Sequence, residues 1–139
     1  MYYLDASALV KRYVREADSA RLRRLAAAQP VATSRLSEVE VASGLARRAR
    51  GQALTEADRD RALAGLLADF DAFIVVELSP AITTEARALL LRHPLRAGDA
   101  IQLASCHFLS DALRVTVPLV AFDDRLRMAA AAEGWPVLP

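Results

Sequence analysis

A chain of 139 residues, 54% of them hydrophobic, can bury one substantial core and lacks the polar bias of a disordered segment, so a single domain over residues 1–139 is expected. Eighteen Lys and Arg against 17 Asp and Glu leave a net charge of +1, which excludes the global electrostatic footprint of a dedicated nucleic-acid-binding domain. Cys106, His93 and His107 are too few for an internal disulfide or a Cys/His zinc site, and no stretch nears the ~20 apolar residues of a membrane span, so a soluble cytoplasmic protein is expected.

In chain order, aromatic-rich "YYLDA" predicts a strand over residues 2 to 5, with helix over 7 to 15. A second helix follows over about 18 to 28, capped by Asp18 or Ser19, and "PVATS" reads as a short strand. From about residue 36, "LSEVEVASGLARRARG" is helical, with Leu36, Val39, Ala42 or Ser43, and Ala46 on one face and Gly51 at its end. Thr55 caps the helix in "TEADRDRALAGLLADF". The clearest strand runs from Phe73 to Leu78. Ser79 as cap and Pro80 at the first helical position then start a helix that His93-Pro94 stops after about Arg92. "AGDAIQLASCHFLSDAL" is an apolar, buried helix, "VPLVAF" a strand, "DRLRMAAAAEG" a helix closed by Gly134, and "WPVL" a last short strand. Strands alternating with helices predict an α/β domain with a parallel sheet of about five strands and helices on its faces.

Four acids recur near helix starts: Asp5, Glu40, Asp99 and Asp123. Taken singly, each has a local explanation. An Asp at a helix N-terminus is a favoured cap worth ~1 kcal/mol, and Ser37 with Glu40 matches the S-x-x-E capping box. Independent capping does not require convergence, however, and in an open α/β sheet the ends of strands share one crevice. Carboxylates brought within ~4 Å repel by ~4 kcal/mol per pair at an effective dielectric near 20, so such a set needs protons or a cation. Oxygen ligation without histidine or thiolate suits Mg²⁺ or Mn²⁺, and the chemistry that follows is metal-assisted phosphodiester hydrolysis by an activated water.

These segments resemble the PIN domain family and, in length and motif wording, its VapC-type toxins. "YLDASALVKRY" carries Asp5, "SEVEVASGLARR" Glu40, "LRAGDAIQLASC" Asp99 and "LVAFDDRLRMAAAAEGW" Asp123, in the family's order and over essentially the whole chain. The resemblance implies a PIN-like sheet and a Mg²⁺- or Mn²⁺-dependent ribonuclease with those four acids as catalytic and metal-holding residues. It further implies a homodimer neutralised by a cognate antitoxin protein. Ser7 matches a hydroxyl that supports the metal site in the family, and it can equally cap the first helix. Ala121 departs from the Thr or Ser common two residues before the last acid. Asp124 adjoins Asp123 and can substitute for it as ligand, but "FDDRL" aligns more naturally with Asp123 in the family position and with Asp124 as a supporting residue and helix cap.

Arg47, Arg48 and Arg50 can meet RNA phosphates or simply complement their helix dipole. Arg12 and Arg15 read as a solvated face, while His93, His107, Cys106, Tyr2, Tyr3, Tyr13, Phe108 and Trp135 read as structural. Haloacid-dehalogenase-like and receiver-like domains also gather acids at strand ends, but the first needs Asp where Ser7 stands, and neither's late-strand Lys is present. The rival from another class is a catalytically silent binding module whose acidic pocket holds a basic partner segment.

Overall fold

The computed structural model describes residues 1–138. Five strands, β1 (Tyr2–Leu4), β2 (Val31–Ser34), β3 (Ile74–Val76), β4 (Leu119–Val120) and β5 (Val137–Leu138), form one sheet in the order β3-β2-β1-β4-β5. Every neighbouring pair is parallel, with Tyr3 opposite both Ala32 and Leu119. The helices are α1 (Ala6–Tyr13), α2 (Ser19–Ala28), α3 (Leu36–Arg50), α4 (Glu56–Phe70), α5 (Pro80–Arg92), α6 (Ala97–Leu113) and α7 (Asp124–Ala132). The predicted α/β class and five-stranded parallel sheet are observed.

The period of two along each strand divides the apolar side chains between two cores. Tyr3, Ala32, Val76 and Leu119 face α5, α6 and α7, where they meet Ile82, Leu89, Leu103 and Leu126. Leu4, Val31 and Val120 face the other way, onto Leu9, Leu22, Val41, Leu45 and Leu66 of α1 to α4. Helices therefore cover both faces, as a parallel sheet requires.

The strands are shorter than the sequence predicts: β3 spans Ile74–Val76 rather than Phe73 to Leu78, and β4 keeps only two residues of "VPLVAF". The face assigned to α3 is corrected. Its buried residues are Ser37, Val41, Gly44 and Leu45, while Val39 is 66% exposed. Rotating the apolar stripe by two positions turns Glu40 toward α6 rather than into solvent.

Chain order places the crevice. Successive crossovers carry β1 to β2 to β3, then α5 and α6 return the chain to β4 on the other side of β1. The strand order reverses between β1 and β4, and ligand sites in such sheets lie outside the carboxyl ends at that point.

Candidate active site

Asp5 and Asp123 stand at this reversal, Asp5 directly after β1 and Asp123 three residues past the end of β4, each capping the helix that follows. Asp5 Oδ1 accepts from the Ala8 amide (2.8 Å) and the Ser7 hydroxyl (2.8 Å), and Asp123 Oδ1 accepts from the Leu126 amide (3.0 Å). Asp99, in the first turn of α6, accepts the Arg96 amide at Oδ2 (3.2 Å). Local capping and convergence thus hold together, because a helix N-terminus at the sheet edge serves both.

Asp5, Glu40, Asp99 and Asp123 all line one cavity of about 660 Å³. Asp5 is 3% exposed, and its burial, reinforced by the charge of Glu40, pushes its carboxyl up to about 7 against the pull of its three hydrogen-bond donors. Burial also raises Glu40, with Asp99 adding to it, and raises Asp99, with Asp123 adding to it. The acids are thus coupled in series from Asp5 to Asp123, each feeling the next.

Ser7 ties two of these segments together. Its hydroxyl donates to Asp5 and accepts from the Phe122 amide (2.9 Å), joining the end of β1 to the loop after β4. The helix cap at this point is Asp5, so Ser7 supports the carboxylate and does not cap. Ala121 is fully buried beside this bond, packed into the α5–α7 core.

Glu40 is held differently from the capping box suggested by its spacing. The helix starts at Leu36, which puts Ser37 inside it, and Glu40 Oε2 instead accepts from Gln102 Nε2 at 2.6 Å. The same amide nitrogen donates to Ser37 Oγ (2.9 Å), and Gln102 Oε1 accepts from the Tyr3 hydroxyl (2.9 Å). Beyond Ser37, the Thr33 hydroxyl lies 2.7 Å away and donates to the Leu4 carbonyl. Gly98 completes the cradle: a Cβ there would collide with Glu40 Oε1. Gln102, Tyr3, Ser37, Thr33 and Gly98 are the residues that reading for acids misses. The available signal was a lone amide in the apolar run "AIQLASC", since a buried amide must find partners.

Asp124 is corrected. Asp123 caps α7, while the Asp124 side chain is 89% exposed, pairs with Arg127 at 3.6 Å and does not line the cavity. His93 and His107 lie elsewhere, the first against Glu133 (2.5 Å) and the second packed against Trp135, with ring centroids 4.2 Å apart and the planes tilted by 39°.

Basic side chains ring the acids. Lys11, Arg47, Arg48 and Arg96 line the same cavity. Glu16 occupies Arg48 (3.3 Å) and lies 3.8 Å from Lys11, whereas Arg47 and Arg96 have no ion-pair partner among the described residues.

The donor set fits a hard divalent cation. It is all carboxylate, and the side-chain hydrogen bonds described above run to Oδ1 of Asp5, Oε2 of Glu40, Oδ2 of Asp99 and Oδ1 of Asp123, one oxygen of each acid. Among the described residues no three acids, histidines or cysteines are gathered tightly enough to chelate an ion by themselves. An ion held by one or two carboxylates and reaching the others through its waters is the arrangement this spacing allows, and it is the habit of Mg²⁺.

Comparison with known proteins agrees with this geometry. The sequence profile of the PIN domain matches residues 2–132. The chain is 34% identical to Ribonuclease VapC45 of Mycobacterium tuberculosis over 144 residues, covering all of this chain and 95% of that protein. It is 37% identical to Ribonuclease VapC46 of the same species, covering 98% of this chain and 95% of that protein. Among solved structures, the M. tuberculosis toxin VapC20, described as cleaving the sarcin-ricin loop, superposes with a TM-score of 0.70 at 20% identity over 93% of this chain and 95% of that one. A toxin-antitoxin complex from Klebsiella pneumoniae gives 0.66 at 18% identity, covering all of this chain and 97% of that one.

Proposed function

The chain belongs to the PIN domain family, and from that premise we propose that it is an endoribonuclease acting as the toxin of a type II toxin-antitoxin pair. The observation that carries the chemistry is the convergence of Asp5, Glu40, Asp99 and Asp123, from four separated segments, on one cavity. Mg²⁺ or Mn²⁺ is the cofactor that suits these donors, with Asp5 and Asp99 as its principal holders and Glu40 and Asp123 engaging it directly or through water. When bound, such an ion supplies an activated water and offsets phosphate charge.

The protein's own residues do the rest. Asp5, buried and fixed by Ser7 and Ala8, sets its carboxyl where water screens little, so its ionised form would attract a cation strongly. Arg47 and Arg96 stand at the rim with free guanidinium groups suited to bidentate phosphate contacts, which orient the backbone of the RNA across the acids. No side-chain nucleophile is needed, so the products of attack by water carry no cyclic phosphate.

The antitoxin is the natural partner for an acidic pocket of this kind, through a basic segment that neutralises the carboxylates, and a homodimer and a cytoplasmic setting accompany this role. Among the described residues no helix is long and apolar enough to cross a membrane.

The test is cleavage of RNA by the purified protein in Mn²⁺, beside Asp5→Asn and Asp99→Asn. We expect each variant to lose at least 100-fold in rate, chelator to abolish the activity, and the fragment ends to lack 2′,3′-cyclic phosphate. Equal cleavage by wild type and both variants would assign the activity elsewhere and leave a binding module as the better account.

A further inference from the structure

Gln102 is the one polar side chain in the buried stretch of α6 that reaches the acidic cavity. It is 2% exposed, and its hydrogen-bonding capacity is fully assigned by chemistry. The Tyr3 hydroxyl donates to Oε1, which leaves the two Nε2 protons for Ser37 Oγ and Glu40 Oε2. Flipping the amide would set its oxygen 2.6 Å from the Glu40 carboxylate and take away the acceptor of the Tyr3 hydroxyl, so the contact with Glu40 fixes the orientation.

Each anchor behind the amide is itself buried. Tyr3 is a fully buried residue of β1, and Ser37 is buried against Thr33 of β2. Glu40 therefore hangs, through one amide, from two central strands and α6 at once. The other carboxylate oxygen, Oε1, rests against Gly98, where no side chain intrudes. A glutamate has three rotatable bonds to fix, and its own helix supplies none of these contacts.

We propose that Gln102 is a positioning residue: it holds the Glu40 carboxylate in the orientation that the metal site needs, with Tyr3 and Ser37 fixing the amide from behind. This rests on the reading of Glu40 as part of that site. Partners in the shell behind metal-holding groups characteristically contribute 10–100-fold to metal affinity or activity. Gln102 acts only through Glu40, since among the acids of the cavity it touches no other.

That exclusivity makes the test a cycle. Gln102→Met keeps the length and bulk of the side chain but removes both donors. Glu40→Ala removes the group it is held to act upon. Mn²⁺ affinity of the RNA-free protein, followed by the free-ion electron paramagnetic resonance signal, is measured for the wild type, both single variants and the double variant, alongside thermal unfolding and the kcat and KM of RNA cleavage.

We expect Gln102→Met to weaken Mn²⁺ binding about 10-fold and to lower kcat with little change in KM. In the Glu40→Ala background the same substitution should change neither by more than about 2-fold. Equal factors in both backgrounds, or no effect in either, would overturn the proposal. Tyr3→Phe, which loses only the far hydroxyl, repeats the measurement should Gln102→Met fold poorly, with a smaller loss expected and the same dependence on Glu40. A Glu40→Ala protein that binds Mn²⁺ and cleaves RNA like the wild type would instead overturn the site assignment of Glu40, and Gln102 with it.

Discussion

At the scale of single residues, the site sets a local cost against a collective use. Asp5 is buried among apolar neighbours and near Glu40, and its carboxyl sits at about 7 rather than in the usual carboxylate range. Folding therefore favours the protonated acid, and above that pH the ionised form works against the fold by about 4 kcal/mol. This is comparable to the burial of two leucines such as Leu9 and Leu66 at about 2 kcal/mol each. A cation in the cavity removes the penalty, as does an uncharged side chain of the same shape. Asp5→Asn keeps an oxygen to accept from Ser7 and Ala8, so at pH 8 in chelator it should unfold several degrees above the wild type while being inactive. A lower midpoint would mean that capping, and not charge, dominates at this position. Glu40 could not be understood at this scale from sequence. Its spacing from Ser37 was that of a capping box, and only the start of α3 at Leu36, with Arg35 at the cap, shows that Ser37 lies two residues too deep for it.

At the scale of elements, a cap was legible where a Ser or Thr stands directly before the helix, because it is a local contract between a side chain and the next few amides. Thr55 and Ser79 bond the amides of Asp58 and Ile82 as their positions predict, and Pro80 opens α5. Strand lengths and helix faces were less legible, since both are set by neighbours: β4 pairs over two residues with β1 and β5, and the stripe of α3 is turned to meet α1 and α4. Gly98 joins these two kinds of information. Within the first turn of α6 it reads as a weak point in a helix, and replacing it by Ala in an unconstrained helix would stabilise by up to about 1 kcal/mol. Here the added methyl would strike Glu40 Oε1. Gly98→Ala should therefore leave the thermal midpoint unchanged or raised while lowering RNA cleavage at least 10-fold; unaltered cleavage would show that the carboxylate relocates without consequence.

At the scale of the whole molecule, a net charge of +1 gives no long-range field to gather RNA, so attraction must come from how charge is arranged at the mouth of the site. The acids were legible as a set because α/β topology sends strand ends to one edge, whereas the basic ring was not, since nothing in "ARRAR" tells which arginine faces the cavity. The structure separates them. Arg47 lines the cavity without a partner, Arg48 lines it but is engaged by Glu16, and Arg50 does not line it. Arg96, the residue before α6, lines the same cavity from a different segment of the chain. Two free guanidinium groups flanking carboxylates make a clamp for adjacent phosphates, and each phosphate contact to a single strand contributes about 0.7 to the logarithmic salt slope. The double variant Arg47→Ala, Arg96→Ala should accordingly raise KM for RNA about 10-fold, flatten the salt dependence of binding by about 1 to 2 in slope, and leave kcat within about 3-fold. Arg50→Ala, set beside the single variant Arg47→Ala, is the matched control, because each removes one charge from the same helix but Arg50 lies away from the cavity. If both proteins weaken binding equally, attraction is diffuse and the rim has no special part in it. If kcat falls with the double variant, the arginines act on the reacting phosphate itself and belong with the acids.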